Sequence, residues 1–318
     1  MDVINKKHLR LIYGDVTLGV QGKEFSYIFS YQTGGPESIV KSGKEWLYRT
    51  PRPTFWRATT DNDRGNGFPL RSGMWLGADL FLKCKEITVC VDGQKVGLPA
   101  APDNNRYQEE EFAQSVRIMY CYETITVPVT QVTVSYQVEA DGRIHVEVQF
   151  EGKKGLPELP VFGIRMIMPT KAAGFVYEGL SGETYPDRMA GGIPGTYEIK
   201  GLPVTPYLVP QDCGMHMDTR RVTVYRDTVL DNTVKHMEKT GFTITQGKNP
   251  FAFSCIPYTA EELENATHQE ELPPARRTVL CILGAVRGVG GIDSWGTDVT
   301  APWHIDAEKD ITYDFYIE

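Results

Sequence analysis

Apolar and polar residues alternate with period two over much of this chain. Val132, Val134, Tyr136 and Val138 alternate with Thr133, Ser135 and Gln137. After Asp141-Gly142, Ile144, Val146, Val148 and Phe150 alternate with His145, Glu147 and Gln149. Successive side chains of a strand point to opposite faces, so the pattern predicts two half-buried strands around a glycine-containing turn. The alternation returns at Phe162, Ile164, Met166 and Met168, over Arg220 to Tyr225, at Phe242 and Ile244, and at Ile311, Tyr313, Phe315 and Ile317. The continuous run Val279-Leu280-Cys281-Ile282-Leu283 predicts a strand buried on both faces.

Helix signals are few. Thr259-Ala260-Glu261-Glu262 is a capping box that opens a short helix towards His268, and residues 70–82 are a second helical candidate. The dipeptides Asp92-Gly93 and Asp141-Gly142 supply turn chemistry. No internal repeat, low-complexity segment or long linker interrupts the pattern. The expectation is a single all-β domain over residues 1–318: a large antiparallel β-sandwich with long rim loops and one or two short helices.

Two stretches depart from periodicity. Residues 179–210 hold six glycines and five prolines, and are expected to be a long ordered loop making contacts through the tyrosines of 177–210. The Pro- and polar-rich stretch at 98–108 is expected to be a surface loop.

Composition narrows the function classes. The 318 residues are 41% hydrophobic with a formal net charge of -8, and no Lys/Arg-rich run offers a phosphate backbone a basic patch, so nucleic acid is not an expected partner. No stretch approaches the ~20 apolar residues of a membrane helix, so no membrane partner is expected. Lys6, Lys7 and Arg10 are not followed by an apolar h-region, and Met1-Asp2-Val3 reads as a natural start. The six cysteines show no CxxC spacing; Cys90, Cys121 and Cys281 lie in apolar runs and read as buried small hydrophobes. A cytoplasmic, reduced protein is expected.

Candidate chemistry lies in two segments near opposite ends. Phe55-Trp56-Arg57-Ala58-Thr59-Thr60-Asp61-Asn62-Asp63-Arg64-Gly65 and Gly290-Gly291-Ile292-Asp293-Ser294-Trp295-Gly296 each set a large aromatic beside Asp, Asn, Ser and Gly, in stretches expected to be irregular. Sugar sites combine a flat apolar face with fixed polar groups. Trp295 stands out because flanking glycines let the backbone present its indole at a loop tip. Asp61-Asn62-Asp63 resembles the start of a carboxylate metal loop, but the EF-hand spacing fails, which favours Asp and Asn bonding local backbone in a turn. His216 and His304 lack a metal-ligand partner at i+2 or i+4 and read as satisfied core or surface residues. No GxSxG is present, and the runs Glu109-Glu110-Glu111 and Glu261-Glu262 read as solvated faces.

Four segments occur in order: Phe55-Trp56-Arg57-Ala58 with Asp61-Asn62-Asp63; Gly182-Glu183-Thr184-Tyr185-Pro186-Asp187-Arg188; Thr205-Pro206-Tyr207-Leu208-Val209-Pro210-Gln211; and Asp293-Ser294-Trp295. Together with Tyr258-Thr259-Ala260-Glu261-Glu262-Leu263 they resemble the C-terminal domain of glycoside hydrolase family 2 β-galactosidases. The resemblance implies a galactose-mutarotase-like supersandwich. It also implies a supporting subunit, because the family's catalytic carboxylates come from a TIM barrel that this sequence does not contain, and no Asn-Glu dipeptide occurs here. A chain of this extent is similar to the small subunit of two-chain members, which hydrolyse β-D-galactosides such as lactose with a separate large subunit. The resemblance gives Trp295 the role of stacking on the substrate, and gives this chain no catalytic residue and no metal ligand. Magnesium and sodium are expected on the large subunit. Asp61, Asn62, Asp63, Tyr185, Asp187, Arg188, Asp293 and Ser294 are candidates for shaping loops or meeting the partner.

Two other readings stay open on sequence alone. An aldose 1-epimerase needs a His and a Glu facing the sugar, for which His216 and Glu183 are conceivable. A stand-alone carbohydrate-binding module needs only the aromatic loops.

Overall fold

A computed structural model of the protein describes residues 8–98, 111–231, 233–234 and 237–318. From residue 99 onward the expected surface loop at 98–108 lies outside the described residues, as do Lys6, Lys7, Glu109 and Glu110. Strands dominate, and every pairing among the described residues is antiparallel.

The largest sheet has ten strands. From edge to edge it runs Pro194–Lys200, Gly174–Leu180, Arg221–Arg226, Thr240–Gln246, Ile311–Ile317, Ile144–Phe150, Gln131–Glu139, Ser115–Glu123, Lys83–Val91 and Gln94–Val96. A five-stranded sheet runs Met215–Thr219, Phe251–Ile256, Thr278–Val286, Val161–Met168, Arg49–Thr54. A six-stranded sheet carries the N-terminal strands from Leu9–Tyr13 to Lys44–Glu45, with Phe112–Ala113 at its other edge.

Ring contacts show how the sheets stack. Phe162 of the five-stranded sheet meets Phe150 and Tyr313 of the large sheet, and Phe29 of the six-stranded sheet meets Tyr136. The large sheet therefore forms one layer of a sandwich and the two smaller sheets form the other, around one continuous core.

The alternation read from sequence fixes the register. In the hairpin, Val132 pairs Phe150 and Val138 pairs Ile144, and Val132, Val134, Tyr136 and Val138 are all buried. A slip of one residue would turn that set to solvent, at roughly 1.5–3 kcal/mol per side chain. Gly142, at φ 86°, supplies the turn that a β-branched residue would strain. The run Val279–Leu283 lies in the middle of its sheet and is buried on both faces except at the half-buried Cys281, as its apolarity predicts.

Helices are short. α1 spans Asp61–Gly65, α2 Phe68–Ser72 and α3 Ala260–Asn265. α3 begins at the capping box: the Thr259 hydroxyl accepts from the Glu262 amide, and the Glu262 carboxylate accepts from the Thr259 amide. It stops at Asn265, short of His268. The helix expected over 70–82 is reduced to α2 and one 3-10 turn at Gly73–Trp75; Gly77 at φ 72° ends it.

Three further expectations are corrected. Residues 179–210 are ordered but are not one long loop, because Pro186–Arg188 form a 3-10 turn and Pro194–Lys200 pair with Gly174–Leu180. Tyr177 and Tyr185, among the tyrosines of 177–210, are buried, so they are core residues and not contact surface. Cys90, Cys121 and Cys281 are only half-buried, while Cys213 and Cys255 are the enclosed thiols; all six are free.

Candidate functional site

The four singled-out segments meet at one rim of the sandwich. After the strand Arg49–Thr54, residues Phe55 to Thr60 run through the interior. Phe55 stacks on Trp75 and Trp56 on Phe68. Both are buried, which corrects the expectation that this segment offers a sugar-facing aromatic. Glu264 of α3 fastens the segment from the side, accepting from the Trp56 indole at 3.2 Å and the Thr59 amide at 2.6 Å.

The segment expected to be irregular then forms α1. Thr60 caps it, and Asp63 returns the bond by accepting from the Thr60 amide at 2.9 Å. This is a capping box with Asp in place of the usual Glu or Gln. Asp63 also sits under two guanidinium groups, with Arg57 Nη1 at 2.7 Å and Arg287 Nη1 at 3.0 Å. All three side chains are buried. Burial works against the Arg57 charge, but the Asp63 and Asp212 carboxylates outweigh it and raise its pKa above the usual arginine value.

Arg287 follows the strand Thr278–Val286 and spreads its donors over three carboxylates. Its Nε donates to Glu158 at 2.6 Å, its Nη1 to Asp63, and its Nη2 to Asp298. Asp298 also pairs with Arg71 of α2 at 2.7 Å. Glu158 in turn faces His304 Nδ1 at 2.6 Å, while His304 Nε2 faces the Val299 carbonyl at 2.9 Å. These charges tie α1, α2 and both ends of the segment 287–304 into one body.

The loop 288–298 is fastened from outside as well. The Asp187 carboxylate accepts from the amides of Val289 and Gly290, Arg188 donates to the Gly290 carbonyl, and Asn62 Nδ2 donates to the Val289 carbonyl at 2.9 Å. Within the loop, Asp293 accepts from the amides of Trp295 at 2.9 Å and Thr297 at 3.2 Å, and from the Thr297 hydroxyl. Gly290, Gly291 and Gly296 all have φ between 69° and 80°. At Gly296 a Cβ would lie 2.9 Å from the Gly65 carbonyl oxygen. At the tip, the Trp295 side chain is 90% exposed. Ser294 and Ile292 beside it are exposed too.

The structure thus brings Asp61, Asn62, Asp63, Tyr185, Asp187, Arg188, Asp293, Ser294 and Trp295 to one rim. Asp61 accepts from Arg64 at 3.1 Å and meets Gln211 through its backbone amide. Tyr185 donates to Asp212 at 2.8 Å; burial raises the Asp212 pKa to about 6 against the pull of Arg57. Sequence assigned no role to Arg57, Arg287, Glu158 or Asp298, the charged pillars of the rim. Among the described residues no group of three or more His, Cys, Asp or Glu is arranged to hold a metal ion. The carboxylates of Asp63, Asp187 and Asp293 are taken by arginines and backbone amides.

His216 is not a sugar-facing base. It is buried among Tyr177, Phe175 and Phe253, its Nδ1 donates to the Gly182 carbonyl at 2.9 Å, and burial lowers its pKa to about 4. Glu183 instead accepts from the Thr205 hydroxyl. No helix among the described residues is long and apolar enough to cross a membrane.

Residues 21–317 match the family model described as beta galactosidase small chain. The chain is 64% identical over 311 residues to a beta-galactosidase small subunit of Latilactobacillus sakei, covering 98% of both chains. It is 31% identical over 315 residues to a beta-galactosidase of Streptococcus thermophilus, where it covers 98% of this chain and 28% of the other. It therefore spans nearly all of the first relative and less than a third of the second. Among solved structures, a putative aldose 1-epimerase of Escherichia coli K12 aligns over 98% of both chains at 9% identity and a TM-score of 0.43.

Proposed function

Because the chain belongs to the beta-galactosidase small-chain family, we propose that it is the small subunit of an enzyme that hydrolyses terminal β-D-galactosides such as lactose, working in the cytoplasm with a separate large subunit. The observation that carries this reading is the 64% identity to a small subunit over 98% of both chains.

Its part in the reaction is positional. Retaining glycoside hydrolysis needs two carboxyl groups about 5–5.5 Å apart across the scissile bond. In this reading those carboxylates belong to the large subunit, as do the magnesium and sodium sites. This chain contributes Trp295. An indole held out on a fixed loop offers the C–H face of a pyranose a flat apolar surface, which orients the glycosidic bond for the partner's carboxylates. The exposure of Trp295 and the multiple fastenings of its loop support that role. Asp63, Asp187, Arg188 and Asp293 act behind it as positioning residues, while Ser294 lies on the side the partner approaches.

The test is nitrophenyl-galactoside hydrolysis by this chain, by the large subunit, and by the mixture. Activity confined to the mixture is expected. Activity of the large subunit alone that the mixture does not raise would remove the reading.

A further inference from the structure

α2 and the turn after it leave a ridge of large apolar side chains in solvent. Leu70 is 92% exposed, Leu80 62% and Phe81 61%, with Leu76 and Met74 also exposed between them. Exposed Val127 joins the ridge, its amide 3.3 Å from the Met74 sulfur. Scattered apolar residues need no explanation, but a contiguous row marks an interaction surface.

Beyond Leu80 the ridge borders a groove of two adjoining cavities of about 460 and 490 Å³, which share Tyr48, Arg49, Leu80, Arg165 and Ile167. Arg165 on its floor is neutralised by Asp79 and Glu261. Arg49, Arg52, Arg276 and Arg277, which also line it, make no ion pair among the described residues. The Arg277 guanidinium carbon lies 3.3 Å from the Tyr48 ring centroid, and its Nε is buried and unpartnered among the described residues. Glu37 and Glu262 also line the groove, and Glu262 is engaged by the Thr259 amide. In a chain of net charge -8, guanidinium groups that lack a carboxylate partner among the described residues, beside an apolar ridge, are the chemistry of a surface that receives carboxylates.

We propose that this ridge and groove form the docking face for the large polypeptide of the same enzyme, which lays an apolar surface on Leu76, Leu80 and Phe81 and carboxylates against Arg49 and Arg276. The inference rests on the subunit reading. Two observations select this occupant. In the Streptococcus thermophilus relative, the part that matches this chain is joined to some two and a half times as much further polypeptide, so an equivalent unit there has a large neighbour. One end of the ridge also lies near the Trp295 loop, since Arg71, next to Leu70, is paired to Asp298. A partner that reaches Trp295 meets the ridge.

The experiment measures association of this chain with the large subunit by native mass spectrometry and titration calorimetry, at low and high salt. Leu80→Asp with Phe81→Asp is expected to weaken association by roughly a hundredfold. Arg49→Glu with Arg276→Glu is expected to weaken it at least about tenfold and to flatten its salt dependence. All four side chains are at the surface, and an unchanged melting temperature of each variant excludes misfolding. If wild-type chain restores hydrolysis to the large subunit and both variants bind within twofold of it, the docking face is wrong and the subunit reading stands. If the wild-type chain neither binds the large subunit nor raises its activity, both fall. Self-association abolished by these substitutions, with large-subunit binding intact, would reassign the face to a second copy and overturn the proposal.

Discussion

The Asp63 carboxylate receives two arginines from distant parts of the chain, Arg57 Nη1 on Oδ2 at 2.7 Å and Arg287 Nη1 on Oδ1 at 3.0 Å, while also capping its own helix. A buried charge stripped of its partner cannot recover water, so the cost of breaking such a pair exceeds the worth of forming it. Asp63→Asn, nearly isosteric, is expected to destabilise the chain by about 3–5 kcal/mol in urea unfolding. A loss under about 1 kcal/mol would show that the network is not a structural pillar.

Trp295→Ala removes an exposed side chain without touching the loop's fastenings. Assembly with the large subunit and melting temperature are expected to stay at wild-type values, while kcat/KM on lactose falls about tenfold or more. Trp295→Phe, which keeps a flat face, is expected to recover part of the loss. Wild-type kinetics of the alanine variant would end the stacking role.

Gly296 has a φ of 80°, and a Cβ there would press on the Gly65 carbonyl oxygen at 2.9 Å. The oxygen belongs to backbone and the Cβ position is fixed by backbone, so neither can rotate away. Gly296→Ala is expected to cost about 1–2 kcal/mol locally and to lower kcat/KM of the complex more than it lowers the melting temperature. Equal activity would mean that the tip adjusts freely.

Asp212 and His216 oppose each other in pH. Folding raises the Asp212 pKa to about 6 from its usual 3.8, so between these values the folded state holds a proton the unfolded state has lost, and stability falls as pH rises. Folding lowers the His216 pKa to about 4 from 6.5, so there the unfolded state holds the extra proton, and stability rises with pH. The two nearly cancel between pH 4 and 6. Asp212→Asn, which still accepts the Tyr185 bond, removes the first contribution. Its stability is expected to climb with pH across that window more steeply than wild type, by up to about 1.4 kcal/mol per unit. Parallel unfolding curves for the two proteins at pH 4, 5 and 6 would refute this.

Sequence was most informative where local pattern and global fold demand the same thing. The hairpin of Val132 to Phe150 and the run Val279–Leu283 are legible because period and burial coincide there. α3 is legible because its cap is a local bond. α1 is missed because five residues show no periodicity, and its Thr60-x-x-Asp63 box reads equally as a turn. The strand Pro194–Lys200 is missed because it lies at a sheet edge with alternating half-buried and exposed positions and no apolar row. At the rim, Trp295 announces itself through its glycines. Arg57 and Arg287 do not: what makes them pillars is a shared carboxylate, and no local window holds both. The exposed ridge at Leu76 to Phe81 read as helix because apolar residues facing solvent look, in sequence, like residues facing a core.

The footing of the Trp295 loop decides when its disorder is given up. Carboxylates and amides from segments 61–66, 187–188 and 293–298 hold that loop within this chain alone. The loss of backbone freedom is therefore incurred while this chain folds, before any encounter with another polypeptide or a sugar. In the reading proposed above, assembly then meets a loop already formed, and sugar capture would draw on an aromatic already in place. Under that reading, dividing the enzyme between two chains costs little, because the tool one chain lends the other arrives rigid.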